Sequence, residues 1–293
     1  MMIYEVYHKT EYRYSEPVTI SNHVVHLEPR GLAQQRVEQS RVEILPRPTA
    51  QRSCVDYFGN HMMFFTIEEP HVRLQLTARS RVEVWPGLMP APGQTPPWEE
   101  VRAQLAADSS GEGLKVAEFL YDSPLIGFLP EIQDYAKASF TPGRALVEAA
   151  LELNHRIRTD FVFDPTATTV STPLAEVFLA RKGVCQDFAH LMVGALRSLG
   201  LAARYVSGYV RTQPAPGAAR IFGADASHAW VSLYCPGYGW VDMDPTNDRL
   251  AVQDYVTLGW GRDYGDVSLI RGILSGGGQH SLYYAVNVEP VMV

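Results

Sequence analysis

The sequence predicts an α+β protein in which a β-rich N-terminal region is followed by helices and then by a second group of strands. Residues 1–88 carry patterns typical of strands, and residues 98–158 carry helical patterns. After about residue 201 the chain returns to strand patterns and keeps them to its end. A block of helices followed by a block of strands is typical of α+β folds, since α/β folds alternate the two along the chain.

The clearest strand of the N-terminal region covers residues 72–84, where apolar and polar residues alternate. Its apolar face consists of Val72, Leu74, Leu76, Ala78, Val82 and Val84. This period of two predicts one buried face and one wet face. Residues 4–14 and 62–67 are also rich in strand-forming residues, and residues 56–60 indicate a turn. We therefore predict a β-rich domain over residues 1–88.

A proline-rich segment follows this region. Residues 86–97 contain five prolines, which can continue neither a helix nor a central strand. We predict a linker over residues 89–97 and a second domain over residues 98–293. Its helical part is predicted to break at residues 111–113 and is strongest at residues 145–151.

The composition argues against several classes of protein. A net charge of −7 disfavours broad electrostatic contact with nucleic acid or with an anionic membrane. No apolar stretch approaches the roughly 18 residues of a membrane span, and the first residues, MMIYE, do not resemble a signal peptide. The three cysteines, Cys54, Cys185 and Cys235, form no CxxC pair. We therefore expect a cytoplasmic thiol protein without a structural metal and without a cofactor.

The segment around Cys185 carries the clearest chemical signal. Gly183 suits the end of a preceding helix, and a new helix is predicted to begin near Cys185 and to end at Gly200. One apolar stripe on it consists of Phe188, Leu191, Met192, Ala195, Leu196 and Leu199. The amino end of a helix favours a thiolate and offers N–H groups to an oxyanion. The alternative is that Cys185 is a small buried apolar residue.

A predicted hairpin supplies a candidate base and its partner. His228 begins the strand over residues 227–234, and Asp244 lies in the strand over residues 239–246. Both are eight residues from Pro236, so a hairpin that turns there places them opposite each other on one face. A carboxylate in this position holds an imidazole in one tautomer and stabilises its protonated form.

Asp242 is the competing partner, because it lies on the same face as Asp244. We prefer Asp244, since Pro245 ends the strand and places the Asp244 carboxylate at the rim of the sheet. A plain amphipathic hairpin explains the alternation of the two strands, but it does not explain a histidine and an aspartate on one face.

Other histidines are weaker candidates. His190 lies on the predicted helix of Cys185 but points to another side of it. His23 and His26 are three residues apart in a β-type segment and therefore face opposite sides. We do not expect these two to form a metal site.

Together these segments resemble the transglutaminase-like superfamily, in its bacterial branch of candidate cysteine proteases. The segments are GVCQDFAH at 183–190, RYVSGY at 204–209, SHAW at 227–230 and GWVDMDPT at 239–246. The cysteine, histidine and aspartate of the family's catalytic triad correspond by position to Cys185, His228 and Asp244. Residues 1–85 look like the N-terminal region of this branch, and residues 261–264 look like part of its C-terminal stretch.

The resemblance implies a papain-like core in which helices pack on an antiparallel sheet. It also implies a thioester acyl-enzyme formed on Cys185 and a protein or peptide substrate with a carboxamide or amide bond. We favour water as the acceptor, which makes the enzyme a protease or amidase, because no sequence feature marks a site for an amine. The alternatives are a transglutaminase with an amine acceptor and a catalytically silent scaffold. The oligomeric state is not indicated.

Two features of the site stay open in the sequence. The backbone N–H of Cys185 is one candidate oxyanion donor, and the second is a tryptophan indole or a glutamine amide, with Gln186 adjacent. Residues 212–224 form a long loop just before His228, which predicts either a lid or a simple surface connection.

Overall fold

The structure, a computed structural model, describes residues 1–212 and 225–291. The predicted loop over residues 212–224 therefore lies almost wholly outside the described residues, and its role as a lid stays a prediction. The observed helices and strands confirm the α+β class, with a strand-rich N-terminal region followed by helices and a second sheet.

The N-terminal region consists of five strands. These are β1 (Met2–Val25), β2 (Gln35–Leu45), β3 (Ala50–Val55), β4 (His61–Ile67) and β5 (His71–Val84). They pair in the order β2-β5-β1-β4-β3, with β1 at the centre. The alternation predicted for β5 holds only in part. The apolar face is buried from Leu74 onward, but Thr77 and Glu83 on the predicted wet face are buried too, and Val72 at the start is exposed.

Helices follow the proline-rich segment. They are α1 (Trp98–Ala107), α2 (Gly111–Ala117), α3 (Pro130–Lys137) and α4 (Leu146–Asp160), followed by β6 (Val162–Phe163), α5 (Leu174–Ala180), β7 (Lys182–Gly183) and α6 (Cys185–Ser198). The predicted break at residues 111–113 lies a few residues too late. Gly111 begins α2 because the Ser110 side chain caps it, accepting the N–H of Gly113 at 3.0 Å.

The second sheet is antiparallel and carries the candidate base. Its strands are β8 (Ala203–Val210), β9 (Ala226–Cys235), β10 (Gly239–Asp244), β11 (Arg249–Leu250) and β12 (Tyr255–Gly261), in the order β11-β10-β9-β8-β12. Helix α6 packs on β9 and β8. The helix is buried on all sides from Asp187 to Arg197, and not along one stripe as its periodicity predicted, because other helices cover its far side.

The end of the described chain completes the first sheet and not the second. Strands β13 (Ile270–Gly276) and β14 (His280–Pro290) both pair antiparallel with β1. The sequence assigned them to a domain over residues 98–293, whereas the pairing joins them to the N-terminal sheet. A contact between strands 245 or more residues apart leaves no trace in local periodicity, so the pattern did not reveal it.

Helix α6 ends as the sequence predicted. Gly200 has a positive φ of 77° and donates its N–H to the Arg197 carbonyl, while Leu201 donates to the Leu196 carbonyl. This is the Schellman arrangement, in which a glycine after the helix satisfies its last carbonyls. Among the helices in the described part of the chain, none has both the length and the apolar character that crossing a membrane would require.

The pairing of β14 with β1 makes a prediction about stability. Val286 is fully buried on β14, whereas Leu282 on the same strand is 52% exposed. Val286→Ala should lower the free energy of unfolding by about 2 kcal/mol, because it leaves a cavity between the sheets. Leu282→Ala should change it by less than about 0.5 kcal/mol. Urea unfolding followed by circular dichroism measures both, and equal effects would contradict the burial of Val286 between the sheets.

Candidate active site

Cys185 is the first residue of α6, as the sequence predicted. The preceding Val184 is extended, with φ of −113°. Its N–H donates to Asp187 Oδ2 at 2.8 Å, and the Thr168 hydroxyl donates to the same oxygen at 2.6 Å. Asp187 therefore fixes the start of the helix, which is the carboxylate half of a capping box. Because the first N–H groups of a helix have no partner within it, the backbone N–H of Cys185 is free to serve a ligand.

Gly183 does not end the preceding helix, in contrast to the prediction. Arg181 takes that place with a φ of 55°, and Gly183 lies instead in the short parallel pair with Phe163. A Cβ at residue 183 would lie 2.6 Å from Asp187 Oδ2. A glycine is needed here because the capping carboxylate packs directly against the backbone.

His228 and Asp244 are brought together. His228 Nε2 lies 2.7 Å from Asp244 Oδ2, and both side chains are buried. The predicted register is wrong by two residues, because Gly239 pairs with Cys235 and the hairpin is centred on Gly237. Pro236 occupies the second position of the turn, and Gly237, with φ of 82°, the third. His228 therefore reaches Asp244 diagonally along one face of the sheet.

The Asp244 carboxylate is fully buried and is surrounded by donors. Oδ1 accepts the backbone N–H of Thr246 at 2.9 Å and that of Asn247 at 3.2 Å. Oδ2 accepts the Asn247 side-chain amide at 2.6 Å and the Tyr255 hydroxyl at 2.6 Å, besides His228. These contacts hold the carboxylate in one orientation and stabilise its charged form.

The electrostatics of the pair follow from these contacts. Burial alone would raise the pKa of Asp244, but the hydrogen bond and charge of His228, with Tyr255 and Asn247, bring it below its usual value. Burial likewise acts to lower the pKa of His228. The hydrogen bond to Asp244, with the charges of Asp244 and Cys185, outweighs burial and raises that pKa to about 10. The arrangement therefore favours a protonated imidazole at neutral pH.

Cys185 lies close enough to His228 to be one of the groups that raise the pKa of the imidazole. Since Nε2 of the imidazole is bound to Asp244, Nδ1 is the ring nitrogen left for the sulfur. Cys185 is half-buried, so its thiol keeps access to a ligand. The structure thus brings His228 and Asp244 into contact and places Cys185 near the same imidazole.

Asp242, the competing carboxylate, makes its hydrogen bonds within the second sheet. It accepts from the Ser232 hydroxyl, which lies across from it on β9, and from the Trp230 indole at 3.2 Å. It makes no hydrogen bond to His228 among those of the described residues.

The remaining candidates have structural contacts. His190 is buried, which lowers its pKa to about 4, and its Nε2 accepts the backbone N–H of Tyr264. His23 stacks on Phe65 with a ring distance of 4.8 Å, and His26 Nδ1 lies 3.0 Å from the Ser268 carbonyl oxygen.

Gln186 donates its side-chain amide to the Val170 carbonyl at 3.3 Å. That bond occupies the amide, which weakens Gln186 as the second oxyanion donor.

Sequence reasoning missed Asn247 and Tyr255. An asparagine three residues after an aspartate, within Asp-Pro-Thr-Asn, is a recognisable turn signal and could have suggested the contact of Asn247. Tyr255 reaches Asp244 from β12, a strand that is not paired with β10, and nothing in the local sequence indicates this.

Comparisons with known proteins show which family the sequence resembles. Residues 4–83 match the bacterial transglutaminase-like N-terminal region, and residues 133–245 match the transglutaminase-like superfamily. An uncharacterized protein of Mycobacterium tuberculosis is 42% identical, over 98% of this chain and 92% of its own length.

Two further relatives are informative. A protein-glutamine gamma-glutamyltransferase of Pseudomonas aeruginosa is 32% identical over 117 residues, which are 39% of this chain and 17% of that protein. The solved structure of a candidate cysteine protease from Cytophaga hutchinsonii has a TM-score of 0.76 at 18% identity and covers 100% of this chain and 91% of its own. That likeness shows the fold.

The contact between His228 and Asp244 predicts a shift in titration. Asp244→Asn removes the negative charge, so the pKa of His228 should fall from about 10 toward its ordinary 6.5. NMR titration of protein labelled at histidine measures this, with the low pKa of His190 as internal control. An unchanged His228 titration would contradict the pairing.

The same pair makes stability depend on pH. Because the folded pKa of His228 lies above the unfolded value of 6.5, its contribution is complete below about pH 6.5 and is lost as pH rises through about 10. The stability difference between the wild type and Asp244→Asn should therefore shrink at high pH.

Proposed function

The chain belongs to the transglutaminase-like superfamily, and from this we propose that it is a cysteine-dependent enzyme that cleaves amide bonds of protein or peptide substrates. Cys185 is the nucleophile, His228 the acid and base, and Asp244 the residue that orients the imidazole. The observation that carries this proposal is the buried hydrogen bond of His228 to Asp244, next to Cys185 at the amino end of α6.

In the first step the Cys185 thiolate attacks the carbonyl carbon, and a C–S bond forms. The oxyanion lies at the amino end of α6, where the Cys185 N–H and the helix dipole stabilise it. The imidazolium of His228 gives its proton to the leaving nitrogen as the C–N bond breaks. A thioester and a neutral imidazole result.

In the second step His228 takes a proton from the acceptor, which attacks the thioester and releases Cys185 as thiolate. We propose water as the acceptor. The sequence supports this, because no feature of it marks a dedicated site for an amine.

Transfer to an amine is the second candidate. The identity shared with the Pseudomonas aeruginosa protein-glutamine gamma-glutamyltransferase favours it. Both outcomes pass through the same acyl-enzyme and differ only in the acceptor. We also propose that the protein works in the cytoplasm, which is supported by its three free cysteines.

Alkylation tests whether the thiol is activated. Iodoacetamide should label Cys185 rapidly at pH 6, where an ordinary thiol is about one per cent thiolate or less. His228→Ala should slow the labelling by about tenfold or more, because the thiolate loses its counter-charge. Peptide mass mapping locates the label. Cys235 should stay unlabelled, since burial raises its pKa to about 11, and His280→Ala, at an exposed histidine, is the matched control.

If Cys185 labels no faster than Cys54, or if His228→Ala and His280→Ala behave alike, the three residues do not act together. The silent scaffold then becomes the better explanation.

The choice of acceptor is tested by its products. Incubation of a glutamine-containing peptide with a fluorescent primary amine should give mainly the hydrolysed peptide, and Cys185→Ala should give neither product. Mass spectrometry separates hydrolysed from amine-linked peptide. Amine-linked peptide as the main product would reject hydrolysis in favour of transfer.

A further inference from the structure

A cavity of about 450 Å³ lies between the two sheets and the proline-rich segment. Trp85 and Leu88 line it from the N-terminal side, and Arg204, Trp240 and Trp260 line it from the second sheet. Cys185, His228 and Asp244 are not among its lining residues. Its volume is that of a pocket for a small organic molecule.

Arg204 is held between two aromatic rings. Its guanidinium carbon lies 4.1 Å from the Trp240 ring centre and 3.6 Å from that of Trp260. Arg30 covers the other face of Trp260 at 3.5 Å. Stacking of this kind fixes the plane of a guanidinium while leaving its N–H edge free for other partners.

Arg204 is only 8% exposed, yet among the described residues its side chain has no hydrogen bond and no ion pair. Its Nε is buried without an acceptor. Asp242 is the carboxylate that acts on it electrostatically, but the two do not come within ion-pair distance among the described contacts. The oxygens of Asp242 are already bound to Ser232 and Trp230.

Arg197 shows how this fold usually treats a buried arginine. It is equally buried, at 6% exposed, and donates to the carbonyls of Phe119, Ala203 and Arg262. The guanidinium of Arg204 lacks such acceptors and instead lies on the wall of the cavity. An anion that binds next to an unpaired buried cation of this kind forms strong charge-assisted hydrogen bonds.

The rest of the cavity wall is partly polar. Asp242 also lines it, but both of its oxygens already accept hydrogen bonds from Trp230 and Ser232. The Gln35 side-chain amide donates to the backbone carbonyls of Arg30 and Thr257, and its oxygen accepts the backbone N–H of Thr257. Leu32, Val84 and Leu88 contribute apolar surface. A fitting ligand therefore has one anionic group and an apolar body.

We propose that this cavity binds a small organic carboxylate, whose oxygens pair with the N–H edge of Arg204 and whose apolar body lies against the indoles and Leu88. The planar guanidinium matches a planar carboxylate in two parallel hydrogen bonds. A free carboxylic acid and the C-terminus of a peptide share this chemistry.

The cavity also contacts the candidate active site through one residue. Tyr255 lines the cavity and donates its hydroxyl to Asp244. The binding proposal nevertheless stands on the cavity alone and does not depend on the proposed amide cleavage.

The test is a titration followed by tryptophan fluorescence, since two indoles flank Arg204. N-acetylphenylalanine should give a saturable change, and its neutral amide should bind at least about tenfold more weakly, because it lacks the charge. A short peptide ending in phenylalanine, in acid and amide forms, distinguishes a peptide C-terminus from a free acid. Equal responses to acid and amide would overturn the proposal.

Variants locate the binding. Arg204→Gln should abolish the response to the acid, whereas Arg102→Gln, which removes an arginine near Trp98 away from the cavity, should not. Because Arg204→Gln risks misfolding, a second pair is placed at Val252, which lines the cavity and is 39% exposed. Val252→Glu should weaken acid binding about fivefold or more relative to Val252→Gln, through repulsion of the carboxylate. Equal affinities for that pair would place the ligand elsewhere.

Discussion

The burial of the Asp244 carboxylate is the constraint on which the site depends. A charged carboxylate with no exposure is strongly unfavourable unless donors surround it, and here five hydrogen bonds reach its two oxygens. Two come from the turn after β10, one from the Asn247 side chain, one from β12 and one from His228. The orientation of the imidazole therefore depends on the turn after β10 and on β12, because both hold the Asp244 carboxylate in place.

The N-terminal sheet takes part in this positioning. Asp225, just before β9, accepts the backbone N–H of Val288 on β14 at 2.6 Å and that of Thr212 at 2.7 Å. Strand β14 pairs in turn with β1. Strand β9, which carries His228, is therefore attached to the first sheet at its start. In this way the β-rich region supports the site, and we assign no catalytic group to it. This gives a physical reason for the two regions to occur together.

The local part of this architecture could be predicted from the sequence, and the long-range part could not. The start of α6 at Cys185, its end at Gly200 and the shared face of His228 and Asp244 follow from capping, glycine and period-two patterns. The two-residue register error arose because the turn was placed symmetrically about Pro236, whereas Gly237 needs the position with positive φ. Tyr255 and the pairing of β14 depend on contacts between distant segments. The role of Gly183 depends on the close approach of a side chain, which spacing does not encode.

The treatment of buried charge also distinguishes the cavity from the rest of the interior. Asp244 and Arg197 are buried and have several partners each, and Asp242 has two donors. Arg204 is buried to nearly the same degree as Arg197. Among the described residues, its guanidinium packs against aromatic rings and has no hydrogen-bond acceptor. Such a cation lowers stability unless something offsets it, and a bound anion would supply the missing hydrogen-bond partner. Since the stacked indoles already fix the guanidinium plane, the residue is organised for a planar anion before one arrives, which reduces the entropy lost on binding.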